Sequence, residues 1–381
     1  MKSIYYWSPY LTNVATIKAV INSATSLKKF SKKFDPVIIN SCGEFNNYEK
    51  ELDNKGIKVL NLLSFNIHKF LPSKGFFFSR LSYIVIFLIT FFPFINFIKS
   101  KKPDYLILHL ITSLPIIISN LIKSETKYIL RISGLPKYNL LRKFIWKKLG
   151  KKIFKITCPT NGTLNDLNLN NLFEKQKLVL LKDPIFSINE INKKKNEMLN
   201  SRVNLTDYNI ICVGRLTRQK NFKLIINSFD QFLKFKENSK LTIIGEGEDR
   251  LSLQNLINKK KLSHKIRLVG FKKNIFKYFK NSDLFILPSL WEDPGWVLIE
   301  AAITNILILS SDCKNGPGEF IQDNNGGILF KNNSSKDLID KFKYVSNLNK
   351  NQIFIKKVFA KKKAGEFTLF NHYSNLEKIL N

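Results

Sequence analysis

Residues 284–302 read LFILPSLWEDPGWVLIEAA, in which a short apolar run, a polar loop and an apolar helical stretch follow one another. Leu284–Leu287 is continuously apolar, which is typical of a strand in a parallel sheet that is covered on both faces. Pro294 and Gly295 predict a turn, so we expect a helix to begin near Trp296. The stretch therefore predicts one strand–loop–helix unit of a parallel α/β sheet.

The same alternation extends along the whole chain. The predicted strands are Ile4–Trp7, Val37–Asn40, Ile57–Leu60, Tyr105–Leu108, Tyr128–Ile132, Ile156–Cys158 and Val179–Leu181 in the first half, and Ile210–Val213, Leu241–Ile244, Ile266–Val269, Leu284–Leu287, Ile306–Leu309 and Ile328–Phe330 in the second. The helical patterns between them include Leu140–Lys148, Phe222–Phe235, Arg250–Lys260 and Trp296–Ile303. Repeated strand–helix–strand units of this kind predict Rossmann-like domains.

A polar stretch near the middle, Ser187–Asp207, interrupts the pattern and is rich in Asn and Lys. Such a composition is typical of a connection between domains. We therefore predict an N-terminal domain over residues 1–185, a C-terminal domain over 186–362, and a helical segment over 363–381 that returns towards the first domain. Rossmann-like sheets bind ligands beyond the carboxyl ends of their strands, so the residues that follow each strand are the first candidates for a site.

Two cations follow the predicted strand Ile210–Val213. Gly214 permits a tight exit from the strand, and Arg215 and Lys220 precede the next helix. Backbone N–H groups at a helix N-terminus favour anions, Arg holds phosphate oxygens in a fork, and Lys adds a mobile point charge. These residues predict a phosphate site, although surface charge in a basic chain is an alternative that residue types alone leave open.

Two carboxylates follow the predicted strand Leu284–Leu287. Glu292 lies in the loop and Glu300 lies about one turn into the helix. Across the intervening bend both carboxylates can face one pocket, where they would accept hydrogen bonds from sugar hydroxyls. The alternative is a capping acid followed by a surface glutamate.

Together, these glutamates and the Val213-Gly214-Arg215…Lys220 element resemble the retaining glycosyltransferases of family 4, which have the GT-B fold. Further segments resemble that family in order and spacing: LTIIGEG at 241–247, SSDC at 310–313, GPGE at 316–319 and NGGILF at 325–330. The resemblance is specific over residues 210–330 and still traceable over residues 1–180. It implies an α/β protein of the GT-B type, with two Rossmann-like parallel-sheet domains that face a central cleft.

The resemblance also implies roles for particular residues. The second glutamate of the family, here Glu300, binds the ribose of a nucleotide-sugar donor, and the first, here Glu292, contacts the donor sugar. Arg215 and Lys220 would hold the diphosphate and stabilise its charge as it leaves. The donor pocket would be completed by Gly214 and by the backbone of Gly295, Trp296, Val297 and Leu298. The family usually has a Gly/Pro-Phe-Gly type of sequence where this chain has Asp-Pro-Gly-Trp, so the donor sugar stays open.

In the same family the N-terminal domain supplies the acceptor site, often with a histidine at the end of its fourth or fifth strand. His109 follows Tyr105–Leu108 and is the candidate catalytic histidine, although a histidine after a strand is on residue type alone more often structural. Asn13 lies in a segment that resembles the family's flexible first loop without its glycine pair. Arg131 ends another strand. Asn13 and Arg131 are therefore candidate acceptor or loop residues.

The chain carries 62 Lys+Arg against 29 Asp+Glu, a formal charge of +33. This excess indicates either an anionic partner or a bias of composition, since the basic residues are not confined to one block. A basic protein that binds nucleic acid or a membrane surface without catalysis is the alternative function. No nucleic-acid-binding module is recognisable, so a nucleic-acid partner is not expected. Four widely spaced cysteines fit a reducing compartment better than a disulfide framework.

Other enzyme classes agree less well with the sequence. A dinucleotide oxidoreductase needs Gly-x-Gly-x-x-Gly, whereas Gly245-x-Gly247 is followed by Arg250. A sugar phosphorylase would share the GT-B fold, but its specific features are not visible. No Asp-x-Asp motif is present, which disfavours a metal-dependent GT-A enzyme. We expect no metal and no other cofactor, the nucleotide-sugar being a substrate.

The segment Leu81–Ile98 contains no charged residue and meets the length of a membrane span. Polar residues and a proline interrupt it, so a buried helix or one that lies on a membrane surface is expected instead. Basic residues flank the Phe-rich stretch 76–98, namely Lys69, Lys74, Arg80, Lys99, Lys101 and Lys102. The first residues lack the apolar region of a secretory signal. We therefore expect a cytoplasmic protein, with peripheral binding to the inner face of the membrane.

The function predicted from the resemblance is transfer of a sugar, with retention of anomeric configuration, from a nucleotide-diphosphate-sugar to a hydroxyl group. The expected acceptor is a glycan or a lipid-linked molecule, in the biosynthesis of bacterial surface polysaccharide or glycolipid.

Overall fold

The computed structural model describes residues 1–12, 15–72, 76–110, 112–136, 138–198 and 206–381. The chain divides into two compact units. The first comprises Met1–Ile185 together with Leu369–Asn381, and the second comprises Phe186–Thr368. Each unit is built around one parallel sheet.

The first unit contains strands β1 (Lys2–Trp7), β2 (Phe34–Asn40), β3 (Lys58–Asn61), β4 (Tyr105–Leu108), β5 (Lys127–Arg131), β6 (Lys155–Cys158) and β7 (Leu178–Leu180). They lie in the order β3-β2-β1-β4-β5-β6-β7, and each neighbouring pair is parallel. The helices are α1 (Ala15–Phe30), α2 (Glu49–Asn54), α3 (Phe76–Lys101), α4 (Ser113–Leu121), α5 (Leu140–Phe144) and α6 (Asn161–Leu169). A π-helical turn, Ile145–Leu149, continues α5, so the predicted helix Leu140–Lys148 changes type along its length.

The second unit contains strands β8 (Tyr208–Val213), β9 (Ser239–Ile244), β10 (Ile266–Leu268), β11 (Leu284–Leu287), β12 (Leu307–Ser311) and β13 (Ile328–Phe330). Their order is β10-β9-β8-β11-β12-β13, again with parallel neighbours. The helices are α7 (Ile188–Lys195), α8 (Phe222–Phe235), α9 (Arg250–Lys259), α10 (Phe276–Lys280), α11 (Trp296–Ile303), α12 (Pro317–Ile321), α13 (Ser335–Ser346) and α14 (Lys350–Ala364).

Strand β4 illustrates why continuously apolar runs form these sheets. All four of its residues are buried. Ile107 packs into a core cluster with Val20 of α1, whereas Leu106 and Leu108 pack into a second cluster with Phe94 of α3. Successive side chains of a strand point to opposite faces, so an apolar residue at every position supplies two core layers at once. The predicted α/β class with Rossmann-like parallel sheets is confirmed.

The last helix, α15 (Leu369–Leu380), belongs to the first unit and packs against α1. The rings of Phe370 and Phe30 meet edge to face with centroids 5.3 Å apart. His372 is buried, with Nε2 at 2.8 Å from Ser23 Oγ and Nδ1 at 2.7 Å from the carbonyl oxygen of Lys182. These contacts tie the end of the chain to α1 and to the segment after β7.

The predicted connection Ser187–Asp207 is wrong in part, because α7 occupies its first half and belongs to the second unit. Ile191 of α7 is buried, and Asn274 donates a hydrogen bond of 2.8 Å to the carbonyl oxygen of Lys194. The ammonium of Lys194 also lies 5.8 Å from the ring centroid of Phe276. One buried isoleucine and the contacts of Lys194 dock this helix, whose polar composition does not predict such packing.

Helix α3 spans Phe76–Lys101 and contains the predicted apolar segment. Its part Phe78–Lys101 is long and apolar enough to cross a membrane, by length and composition alone, with a mean hydropathy of 2.2. One face is buried on the first sheet, where the ring of Phe94 meets that of Trp7 with centroids 4.6 Å apart. The hydroxyl of Thr90 donates to the carbonyl oxygen of Ile86, so this polar side chain is satisfied within the helix.

Candidate active site

The strand orders place the sequence-predicted residues at the switch points of the two sheets. Strand β1 lies between β2 and β4, and strand β8 lies between β9 and β11. Where neighbouring crossovers run in opposite directions, a crevice forms at the carboxyl ends of the strands. His109 directly follows β4, Gly214 directly follows β8, and Glu292 lies in the loop after β11.

Lys220 and Glu292 form a hydrogen-bonded ion pair that joins the loops after β8 and β11. The ammonium of Lys220 donates to Oε1 of the carboxylate, and the two side chains are only 12% and 6% exposed. The stem of Lys220 lies over Gly214, since a Cβ atom there would sit 3.1 Å from the lysine Cδ and Cε atoms. Glycine therefore leaves the space in which the lysine lies. The sequence selected both charged residues but did not predict their contact.

Arg215 is exposed and begins the same loop. Its Nη2 lies 3.4 Å from Oε1 of Gln219, a long hydrogen bond that leaves the guanidinium close to solvent. Gln219 also joins the two loops, because its Nε2 donates to the carbonyl oxygen of Trp291 at 2.9 Å and its own carbonyl accepts from the backbone N–H of Leu290 at 2.8 Å. Sequence reasoning missed Gln219, since a neutral amide in a loop gives no signal until its partners are known.

The loop that carries Glu292 is anchored by the segment after β12. The backbone N–H of Glu292 donates to the carbonyl oxygen of Lys314 at 3.4 Å, and Nδ2 of Asn315 donates to Oδ1 of Asp293 at 2.7 Å. Burial, and then the negative charge of Glu292, raise the pKa of the Cys313 thiol to about 12. Cys313 therefore stays uncharged near neutral pH and adds no second anion beside Glu292.

Gly295 determines where α11 begins. It adopts φ +90°, a conformation that L side chains rarely adopt, and the helix starts at Trp296 as predicted. Val297 and Leu298 are buried, and the N–H of Leu298 donates to the carbonyl oxygen of Gly295 at 2.9 Å. The amide of Leu298, one of the backbone groups predicted to complete the donor pocket, thus has a partner inside the turn. Trp296 and Glu300 are half-buried, Glu300 in the second turn of the helix.

In the first unit, His109 is buried beside an open cavity. The backbone N–H of His109 donates to the carbonyl oxygen of Trp7 at 2.7 Å, and the side-chain Nδ1 has no hydrogen-bond partner within the described part of the chain. Burial, and then the positive charge of Arg131, lower the pKa of His109 well below its ordinary value. The imidazole is therefore neutral at pH 7, so one of its nitrogens donates a hydrogen bond and the other accepts one.

Arg131 is buried and already holds two partners. Its Nη1 donates to the carbonyl oxygen of Leu181 at 2.9 Å, and its Nη2 forms an ion pair with Asp183, whose side chain is 7% exposed. Arg131 was predicted as an acceptor or loop residue, and the structure gives its guanidinium an internal partner that the sequence did not reveal. Asn13, the other candidate of this class, lies outside the described residues.

The cavity beside His109 has a volume of about 520 Å³. Its walls come from α1, α3, the ends of β4 and β5, and the helical segment from α5 onwards. Residues that line it include Thr16, Tyr83, His109, Arg131, Arg142 and Trp146. The guanidinium carbon of Arg142 lies 5.6 Å from the ring centroid of Trp146. A cavity with an unpartnered imidazole, a cation and aromatic walls suits a ligand that has both hydroxyl and apolar parts.

No group of three or more His, Cys, Asp or Glu side chains is placed to hold a metal ion within the residues that the structure describes. The charged residues after β8 and β11 of the second unit are Arg215, Lys220 and Glu292.

Comparison with known proteins finds a family model that matches most of the second unit. Residues 193–360 match the family model described as glycosyl transferases group 1. The chain is 32% identical over 249 residues to an uncharacterized glycosyltransferase of Methanocaldococcus jannaschii, covering 60% of this chain and 61% of that protein. It is 31% identical over 191 residues to the N-acetylgalactosamine-N,N'-diacetylbacillosaminyl-diphospho-undecaprenol 4-alpha-N-acetylgalactosaminyltransferase of Campylobacter jejuni, covering 50% of each chain. The matched part thus spans 50% to 61% of these curated relatives.

Among solved structures, that of Anabaena HepE in complex with UDP-glucose is similar, with a TM-score of 0.72 at 12% sequence identity. The similarity covers 100% of this chain and 99% of that one. The GT-B fold predicted from the sequence is confirmed. The family model and the names of the relatives support the predicted enzyme class, a glycosyltransferase.

Proposed function

We propose that this protein transfers a sugar from a nucleotide-diphosphate-sugar to a hydroxyl of a glycan or lipid-linked acceptor, with retention of anomeric configuration. The observation that carries the proposal is the Lys220–Glu292 pair, which lies after β8 and β11 of a unit that matches a glycosyltransferase model. Family 4 is the proposed family because the sequence resemblance includes the same residues in the same order.

The donor is assigned to the second unit. Arg215 is exposed and its long hydrogen bond to Gln219 is easily exchanged, so it can turn to grip phosphate oxygens. The ammonium of Lys220 has three donors, so it can bind a phosphate oxygen while it keeps Glu292. Glu292 would accept a hydrogen bond from the donor sugar, and Glu300 from the ribose. A UDP-sugar is the first donor to test, because the Anabaena structure of the same fold holds UDP-glucose.

The reaction proceeds on one face of the donor sugar. The bond between the anomeric carbon and the diphosphate oxygen breaks, a bond to the acceptor oxygen forms on the same face, and the acceptor's proton passes to the leaving diphosphate. Arg215 and Lys220 stabilise the charge that develops on that diphosphate, which is usually the largest contribution to such catalysis. These cations take the part that a metal ion plays in other transferases, so we propose a reaction without added metal.

The acceptor is assigned to the first unit. His109 lines the cavity, its buried Nδ1 has no hydrogen-bond partner within the described residues, and it is neutral at pH 7, so its imidazole can hydrogen-bond a hydroxyl of the substrate. The name of the Campylobacter relative includes a diphospho-undecaprenol-linked sugar. We propose as the acceptor a lipid-linked precursor of a bacterial surface polysaccharide or glycolipid, and we propose that the protein acts in the cytoplasm on the inner face of the membrane.

Product analysis tests the proposal. Purified protein is incubated with UDP-sugars and lipid-linked acceptors, with and without EDTA, and the anomeric proton coupling of the product is read by NMR. We expect the product to have the configuration of the donor at an unchanged rate in EDTA. An inverted product would contradict retention, and loss of activity in EDTA would contradict a metal-free reaction. A protein that binds membranes or nucleic acid but turns over no donor would favour the alternative, non-catalytic function.

A further inference from the structure

We propose that α3 and α5 form a docking face for an anionic lipid bilayer, and that the cavity beside His109 opens at the edge of this face to admit an acceptor anchored in that bilayer. The proposal deepens the proposed function, because it names the membrane as the place from which the acceptor is taken.

Helix α3 exposes an apolar stripe on the side away from the sheet. Its members recur every three or four residues and are 46% to 72% exposed: Phe78, Leu81, Ile84, Leu88 and Phe92. From Phe78 to Phe92 the stripe extends for about 21 Å at the rise of an α-helix. Exposure of so many large apolar side chains in one row is unfavourable in water, which indicates that the stripe binds an apolar partner.

The opposite side of α3 excludes a helix that crosses the bilayer alone. Phe94 and Phe97 on that side are buried against the first sheet, and Ile86 is buried against Leu11 and Cys42 in the loops after β1 and β2. The hydroxyl of Ser82 donates to the carbonyl oxygen of Pro72 at 2.8 Å, which ties the helix to the preceding loop. With one face committed to the sheet, α3 can meet lipid only through the stripe, in the manner of an interfacial helix.

The segment that begins with α5 extends the apolar surface. Leu140, Leu141 and Phe144 are 88%, 68% and 57% exposed. Tyr83 of α3 lines the same cavity as Leu141 and Arg142, so α5 lies across the cavity from the N-terminal half of α3. Burial, and then the positive charge of Arg80 of α3, lower the pKa of Arg142. The two guanidinium groups are therefore close enough to interact. Leu141 is thus both exposed and part of the cavity wall, so the apolar surface of α5 borders the cavity, with Tyr83 of α3 on another part of the wall.

Charge decides which partner covers this surface. Residues 76–102 and 139–152 contain no Asp or Glu, and their exposed cations include Arg80, Lys99, Lys143, Lys147 and Lys148. A second copy of the chain, seated on the same surface, would bring cations against cations. An anionic bilayer offers both an apolar interior for the stripe and negative headgroups for the cations around it.

In this arrangement the cavity can receive the polar head of an acceptor whose lipid stays in the bilayer. A lipid-anchored acceptor keeps its chain in the bilayer and presents its polar head at the surface. Arg142 lines the cavity and can receive an anionic linker between lipid and sugar, while His109 lies deeper and can meet a sugar hydroxyl.

Vesicle binding tests the docking face without any donor. The full-length protein is sedimented with vesicles of phosphatidylglycerol and phosphatidylcholine, and with vesicles of phosphatidylcholine alone. We expect binding to the former, reversed by high salt. The double variant Leu88→Glu with Phe92→Glu should weaken that binding at least about tenfold. Two apolar contacts are lost, and two negative charges, of the same sign as the lipid headgroups, are added. Leu169→Glu, at an 80% exposed leucine of α6 in the same unit, is the matched control and should bind like the wild type.

Fluorescence distinguishes insertion from a purely electrostatic contact. In Phe92→Trp the new indole should be quenched by vesicles whose acyl chains carry bromine, whereas the indole of Leu169→Trp should not. Equal quenching of both variants, or unchanged vesicle binding by the doubly charged variant, would overturn the docking face. Neither result would bear on donor turnover, and absence of donor turnover would leave these vesicle results unchanged, so the two proposals fail separately.

Discussion

The ammonium of Lys220 and the carboxylate of Glu292 form a nearly buried ion pair across 72 positions of the sequence. The pair fixes the loop after β8 against the loop after β11, where a Rossmann-like sheet has its switch point. It also holds the ammonium of Lys220 near the proposed position of the diphosphate. In the proposed reaction Lys220 has two duties, to hold Glu292 and to stabilise the leaving group.

These duties can be separated by a mutant cycle. Lys220→Met leaves the carboxylate of Glu292 buried without its cation, which should cost about 3–5 kcal/mol of the free energy of unfolding. Lys220→Met combined with Glu292→Gln should recover most of that loss, since no charge then remains buried, but should not recover turnover. Urea unfolding and release of nucleoside diphosphate measure the two quantities. A double variant as unstable as the single one would show that the ion pair is not the source of the loss.

Arg215→Ala should reduce turnover by at least about tenfold, because loss of one stabilising donor at a developing charge costs on the order of 10² to 10³ in other enzymes. Since Arg215 is exposed, its free energy of unfolding should change by no more than about 0.5 kcal/mol. Arg218→Ala removes an exposed cation from the same loop and serves as the control. Equal turnover in the two variants would remove Arg215 from the diphosphate site.

Glu300→Gln and Glu292→Gln should differ in which ligand they weaken. Loss of the ribose contact in Glu300→Gln should weaken free UDP and the UDP-sugar alike. Glu292→Gln should weaken the UDP-sugar more than UDP, because only the sugar contact is lost. Calorimetric titration with both ligands measures this difference. The same loss for both ligands in both variants would contradict the division of roles.

Much of this architecture follows from the sequence, because continuous apolar runs specify buried parallel strands and the Pro294–Gly295 pair specifies the start of α11. Contacts between distant loops do not follow. Lys220 and Glu292 were selected separately, and the partners of Arg131 depend on how the end of β5 meets the segment after β7. Helix α7 does not follow from the sequence, because Ile191 is its only buried residue and its other contacts are made by Lys194. The stripe on α3 was hidden because the helix is apolar on every side, so only the structure shows which face stays open.

The buried histidines predict how the stability of the first unit depends on pH. Burial lowers the pKa of His109 well below its ordinary value and lowers that of His372 to about 4, and the charge of Arg131 acts in the same direction on both. At His372 the hydrogen bond to the carbonyl oxygen of Lys182 and the charge of Asp183 oppose this lowering of the pKa. The unfolded chain binds protons at about pH 6.5 and the folded chain does not, so the free energy of unfolding falls as pH drops from about 6.5 towards 4.

Each histidine should contribute a slope of up to about 1.4 kcal/mol per pH unit in that window. His372→Gln should remove its share of the slope, and urea unfolding at a series of pH values measures this. The exposed-histidine variant His264→Gln is the control. A slope that is the same in wild type and His372→Gln would show that His372 takes up a proton in the folded state.

Release of nucleoside diphosphate from a panel of UDP-, GDP- and ADP-sugars, assayed in the presence of lipid-linked acceptors, tests the central claim most directly. We predict that the wild-type protein releases the diphosphate from at least one donor and that Lys220→Met combined with Glu292→Gln, although folded, loses most of this release. Turnover by that double variant at the wild-type rate would contradict the account, because the charged centre between the two loops would then have no part in the reaction.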